Sequence, residues 1–382
     1  MSTPKRPPKL AFLTNFVPPT RLATFEFISE RIDATFLVDD LSEANRRWKV
    51  NTGSLNVEVV PGFTLKKKYW HPAGFSEQAF LHLPVGLTWV LWRLRPTHVI
   101  SGELGFRTAV ACAYRLLRPS TRLTVWTEGT QHTDGPRGAV RRVFRQLLVK
   151  VPDAFLACST DARALLAASG AAPDRIRVSF AASGFTEIGP PPVRTPEQRA
   201  RLLYAGQFVE RKGLRPFMEA LIAVCRSLQN RRVEMWFVGY GEEEKWLRDL
   251  KVPSCLSLRI LPPVQFERMP DFYRQCGIFV FPTLADVWGL VTNEAMAYSM
   301  PVLGSRYAAS VCDLVEDRRM GWTFVPGDRE GTVRAIREAL TTPPEQLERM
   351  GTLARESVRH ITPDRFASDL LHTALGQHGR TS

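Results

Sequence analysis

Lys212, Asp286 and Glu294 are the residues of this 382-residue chain whose types and surroundings best suit an anionic, hydroxyl-rich ligand. Lys212 follows LLYAGQ (202–207), where a short apolar strand stops at Ala205-Gly206 and a helix is expected after Gly213. A lysine at a strand's carboxyl end, beside a helix N-terminus that concentrates positive potential, suits a diphosphate. The gross attraction would be on the order of 5 kcal/mol at an effective dielectric of ~20, before desolvation. The same spacing also fits a solvated turn carrying Glu210, Arg211 and Lys212. The second stretch is DVWGLVTNEAMAYSMPV (286–302). A buried strand at GIFVFPT is followed by the loop ADVWG, and a helix is predicted from near Leu290 to just before Pro301. The N–H groups of Gly289, Leu290 and Val291 would be free for phosphate or sugar oxygens. Asp286 could accept from sugar hydroxyls or be an ordinary helix-entry residue. Glu294 sits in an apolar run, where an unpaired charge is costly, so it either holds ligand hydroxyls or pairs with an arginine.

The first half offers a second set. LTVWTEG (123–129) is a buried strand ending at Glu128, and His132 follows in EGTQHTD. A carboxylate or imidazole at such a strand end could orient a sugar or an attacking hydroxyl. Asn15, Arg21 and Glu103 lie on loops of the same polarity.

Short apolar strands alternate with helices of 10–15 residues along the whole chain, which predicts doubly wound, mainly parallel sheets. The alternation is interrupted at GFTEIGPPPVRTPEQRA (184–200), the best linker, and then restarts. We therefore expect an α/β protein of two Rossmann-like domains facing across a cleft, with boundaries at 1–187 and 198–358. A terminal helix, within about 360–382, would pack back on the first. Ligands in such sheets bind at the carboxyl ends of strands.

The six cysteines are scattered, with no C-x-x-C pair, which argues against a disulfide or metal framework and fits a reducing cytosol. No secretion signal and no run of eighteen apolar residues is visible. Residues 1–200 hold 27 lysines and arginines against 16 acids, whereas 201–382 hold 24 against 22. The basic excess of the first half, with LKKKYW (65–70) and LTWVLWRLRP (87–96), suggests an anionic partner such as a membrane surface. A solvated basic face over core tryptophans is the plainer reading. No aromatic-basic module points to nucleic acid, and no G-x-G-x-x-G follows the first strand to point to a dehydrogenase.

GQFVERKG, followed about eighty residues later by DVWGLVTNEAMAYSMPVLGS, resembles the retaining glycosyltransferase family 4, of GT-B fold. FVGYGEEEKWL and MGWTFVPGD resemble two further segments of that family, and the likeness is strongest from Tyr204 to Asp328. The resemblance implies that Lys212 binds the diphosphate of a nucleotide-sugar donor and that Glu294 holds its ribose. It places Asp286 and the 289–291 backbone against the transferred sugar and phosphate. Gly239, Pro263 and Val264 would lie beside the nucleotide. Three departures stand out. Gln207 occupies the family's usual arginine position, with Arg211 as a substitute cation. Asp286 is one methylene shorter than the usual glutamate. Glu128 stands where many members carry a histidine. The implied reaction transfers a sugar, with retention and without a metal or other cofactor, to a hydroxyl of a glycan or lipid-linked acceptor. Cell-surface polysaccharide or glycolipid synthesis would be its setting, in the cytoplasm or peripherally at the inner face of the membrane. A non-catalytic nucleotide-sugar-binding scaffold is the alternative.

Overall fold

The computed structural model describes residues 8–41, 52–185, 188–228 and 231–376. The basic MSTPKR start and residues 377–382 of the predicted terminal segment lie outside them. The chain forms two compact units: residues 1–68, 78–186 and 361–382, and residues 69–77 and 187–360.

The first unit is built on a seven-stranded parallel sheet. Its strands are β1 (Lys9–Thr14), β2 (Asp33–Val38), β3 (Val57–Val59), β6 (His98–Gly102), β7 (Arg122–Thr127), β8 (Ala154–Ala157) and β9 (Ile176–Val178). They lie in the order β3-β2-β1-β6-β7-β8-β9. The intervening β4 (Phe63–His71) and β5 (Phe75–Leu83) form a separate two-stranded hairpin. LKKKYW thus lies on a largely exposed strand of that hairpin. The central strands are apolar and buried on both faces, as a sheet covered by helices requires. Phe12 of β1 meets Phe25, Phe36 and Trp126 at ring-centroid distances of 4.9, 5.5 and 5.7 Å.

Helix Pro363–Leu375 belongs to this first unit, although the chain reaches it only after completing the second. It packs on helix Pro19–Arg31 and against β7. Phe366 is buried with its ring 6.2 Å from that of Trp126, and Asp369 accepts from Arg177 at 2.6 Å and from the Ser179 hydroxyl at 2.8 Å.

The second unit has a six-stranded parallel sheet: β10 (Leu202–Gln207), β11 (Val233–Tyr240), β12 (Leu256–Leu261), β13 (Ile278–Phe281), β14 (Val302–Ser305) and β15 (Gly321–Phe324). The order is β12-β11-β10-β13-β14-β15. Helix Leu214–Ser227 buries Phe217, Met218 and Leu221 against it. In each sheet the winding reverses once, between β1 and β6 and between β10 and β13. The loops after those strands therefore diverge and leave a crevice.

Replacing Phe366 with alanine removes a buried ring shared by the terminal helix and β7, and should cost about 3–5 kcal/mol. Urea unfolding followed by hydrogen exchange should show the loss in the first unit, with β10–β15 protection retained.

Candidate active site

At the crevice of the second unit, the loops after β10 and β13 are locked together. The Arg211 carbonyl accepts from Leu284 N–H at 2.8 Å and from the Thr283 hydroxyl at 3.2 Å. Gly213 has a φ of +67°, and a Cβ there would stand 2.2 Å from the Pro282 carbonyl oxygen, so only glycine permits this approach. The result is a cluster of four charges, Lys212, Arg211, Asp286 and Glu77. Lys212 Nζ donates to Asp286 Oδ2. Arg211 reaches the same carboxylate at 3.5 Å, donates to the Ala285 carbonyl at 2.7 Å, and pairs with Glu77 at 3.2 Å.

Asp286 is buried, and burial alone would raise its pKa. The charges of Lys212 and Arg211, with hydrogen bonds from Lys212 and the Trp288 N–H, outweigh this and hold the group below its ordinary value. The loop that carries it is fixed by the buried Trp288, whose indole N–H donates to Asn293 at 3.0 Å. Helix Leu290–Ala297 then opens from Gly289 at φ +93°, where a Cβ would collide with the Phe281 ring at 2.4 Å. Gly289, Leu290 and Val291 are half-buried at this helix N-terminus.

Glu294 lies on a helix whose residues Thr292–Ala297 are all buried. Its carboxylate accepts from the Tyr273 hydroxyl at 2.6 Å, a partner that the sequence did not point to. The Tyr273 phenol is pushed well above its ordinary pKa, by burial first and then by the Glu294 charge, so it stays a donor. Gln207 ends β10, half-buried, and its carbonyl accepts from the Tyr204 hydroxyl at 2.7 Å. Gly239 pairs in register with Gly206 across β10 and β11, while Pro263 and Val264 lie on the loop after β12.

The first unit gathers its own candidates at the carboxyl ends of β1, β6 and β7. Arg21 pairs with Glu128, donates to the Ala182 carbonyl at 3.3 Å, and lies over the rings of Trp126 and Phe366. Glu103 accepts from Glu128 N–H at 2.8 Å and from the Thr127 hydroxyl at 2.7 Å, so it fixes the turn that presents Glu128. Asn15 accepts from Arg107, which also pairs with Asp39. Arg107 and Asp39 were missed from sequence; the signal was a basic residue in the first turn of an otherwise apolar helix, directly after a strand. His132 is half-buried on the short helix Gln131–Asp134, which Thr130 caps. Among the described residues no group of three or more histidine, cysteine or acidic side chains is placed to hold a metal ion.

Residues 199–342 match the family model described as "Glycosyl transferases group 1". The matched segment is similar to group 1 glycosyltransferase domains. It contains both loops of the charge cluster. The chain is 33% identical over 129 residues to a D-inositol 3-phosphate glycosyltransferase of Streptomyces griseus, covering 32% of this chain and 26% of that protein. Its similarity to the Streptomyces scabiei protein of the same name is 25% over 376 residues, covering 87% and 82% of the two chains. The chain thus spans about a quarter of the first relative's length and most of the second's. In fold it is similar to Anabaena HepE, solved in complex with UDP and glucose, at a TM-score of 0.70 and 13% identity over 96% of this chain and 99% of that one. The two α/β units with parallel sheets are those of the GT-B glycosyltransferase fold.

Burial, then the Asp134 charge, pushes Glu103 up from 4.5 to about 7, against the pull of its bonds from Glu128 and Thr127. The folded state therefore keeps a proton that the unfolded chain has lost, and stability falls as pH rises through that window. Glu103→Gln should lack this fall. Its stability relative to wild type should climb between pH 4.5 and about 7 and then level off. Parallel stability curves for the two proteins across that range would contradict the assignment.

Proposed function

We propose that the protein is a retaining, family 4-like hexosyltransferase that moves a sugar from a nucleotide-sugar donor to a hydroxyl of a glycan or lipid-linked acceptor. The reading rests chiefly on one arrangement: Lys212 and Arg211, held by buried Asp286 at the reversal point of the second sheet, beside the N-terminus of helix Leu290–Ala297. Two fixed cations and the amides of Leu290 and Val291 would meet a diphosphate and stabilise the charge that grows on it as the sugar leaves. Asp286 keeps both cations in place before the ligand arrives, so little reorganisation is needed on binding. Arg211 would supply the charge that Gln207 does not. In the first unit Glu128, oriented by Arg21 and Glu103, is the acceptor-side group, with His132 on the following turn.

Because HepE was solved with UDP and glucose, UDP-sugars are the first donors to try, alongside GDP-, ADP- and dTDP-sugars. A donor that binds only the folded protein raises its melting temperature. Lys212→Ala should lower transfer by at least ~100-fold, the order found for losing one preorganised charge stabiliser. The variant should remain folded, since Arg211 still faces Asp286. Near-normal turnover would remove the site assignment. Tight donor binding by the wild type without turnover on any acceptor would favour the scaffold reading, which the glutamine at position 207 supports.

A further inference from the structure

The outward helices of the first unit carry an apolar, acid-free face that the proposed reaction does not use. Helices Leu87–Leu94, Phe106–Leu117 and Ala139–Leu148 contain no aspartate or glutamate. They lie side by side: Trp92 meets Tyr114 at 5.7 Å between ring centroids, and Phe106 meets Phe144 at 5.5 Å. A groove between the first two is lined by Val85, Thr88, Trp92, Phe106, Ala113 and Leu117. The large apolar residues here are turned to solvent, including Val140 at 86% exposure, Leu117 at 69% and Trp89 at 64%. Val143, Leu147 and Leu116 are also exposed. An exposed patch of this extent marks an interaction surface.

Its charges specify the partner. Arg93 lies over Trp89 at 4.9 Å and Arg118 over Trp92 at 5.5 Å, so cations flank the exposed indoles. Arg95, Arg142 and Lys150 are further exposed cations on or just after these helices. The neighbouring acids Glu58, Asp153 and Asp134 are each paired, with Arg93, Arg115 and Arg141. Indoles and aliphatic tips among arginines, with no outward acid on the three helices, match a plane that is negative at its surface and apolar beneath. We infer that this face seats the first unit on an anionic phospholipid bilayer, with Trp89, Trp92, Leu117, Val140 and Val143 entering the headgroup layer. The inference names a partner for the first unit and does not depend on the donor site.

Co-sedimentation of the full chain with phosphatidylcholine vesicles, with and without 30% phosphatidylglycerol, tests it. Partition should be at least roughly tenfold stronger on the anionic vesicles at low salt, and should weaken in high salt. Val140→Asp with Val143→Asp, and separately Leu116→Glu with Leu117→Glu, place acids on exposed positions and should each reduce binding by roughly tenfold or more. Circular dichroism identifies a pair that fails to fold, leaving the other to decide. Donor-dependent thermal shifts in vesicle-free solution should match wild type in both pairs, which separates failure here from failure of the donor reading. Equal partition onto neutral vesicles, or undiminished binding by a folded variant, would overturn the inference. So would sedimentation showing a dimer that the same substitutions dissociate.

Discussion

A carboxylate buried between two crossover loops sets the terms for the second unit. Asp286 lies in a region from which water is largely excluded, and a lone charge there would be expensive enough to unfold the loop or to protonate. It stays ionised because Lys212 and Arg211 come to it from the neighbouring strand's loop. That requirement explains the glycine at 213, which lets the loops touch, and the buried indole of Trp288, which holds the acid-bearing loop still. The arrangement sits where the sheet's winding reverses, so the cations face a crevice rather than a packed helix. A charge cluster built this way holds itself together without a ligand.

The first unit follows the same plan with the opposite sign. Its reversal point, between β1 and β6, gathers Asn15 and Glu103, and the adjoining strand end brings Glu128 and Asp134. Acids are concentrated inward, at the carboxyl ends of the strands, where Arg21 and Arg107 pair with Glu128 and Asp39. Helices Leu87–Leu94, Phe106–Leu117 and Ala139–Leu148 carry arginines and apolar tips and no acid. The basic excess of the first half is therefore not spread evenly: it falls in part on these three helices and on the lysines of β4.

Much of this was legible in the sequence for a physical reason: buried parallel strands are short apolar runs, and the loops that follow them are polar and rich in glycine. The strand ends near Gln207 and Phe281 and the helix opening at Leu290 followed from that grammar, whereas the Lys212–Asp286 pair was not among the expectations. What stayed hidden was pairing over distance. Nothing near Glu294 announces that Tyr273 will donate to it, because the two lie on different helices brought together only by the packed sheet. Asp39 and Arg107 were missed for the same reason. The hairpin of β4 and β5 escaped because β4 is largely exposed and carries LKKKYW, so hydrophobic periodicity had little to report there.

The most direct test of the account is a crystal structure with a nucleoside diphosphate bound. The account predicts diphosphate oxygens within hydrogen-bond distance of Lys212 Nζ and the amides of Leu290 and Val291, with Arg211 turned toward them. A nucleotide whose phosphates lie away from these groups, leaving the Lys212–Asp286 pair untouched, would contradict it.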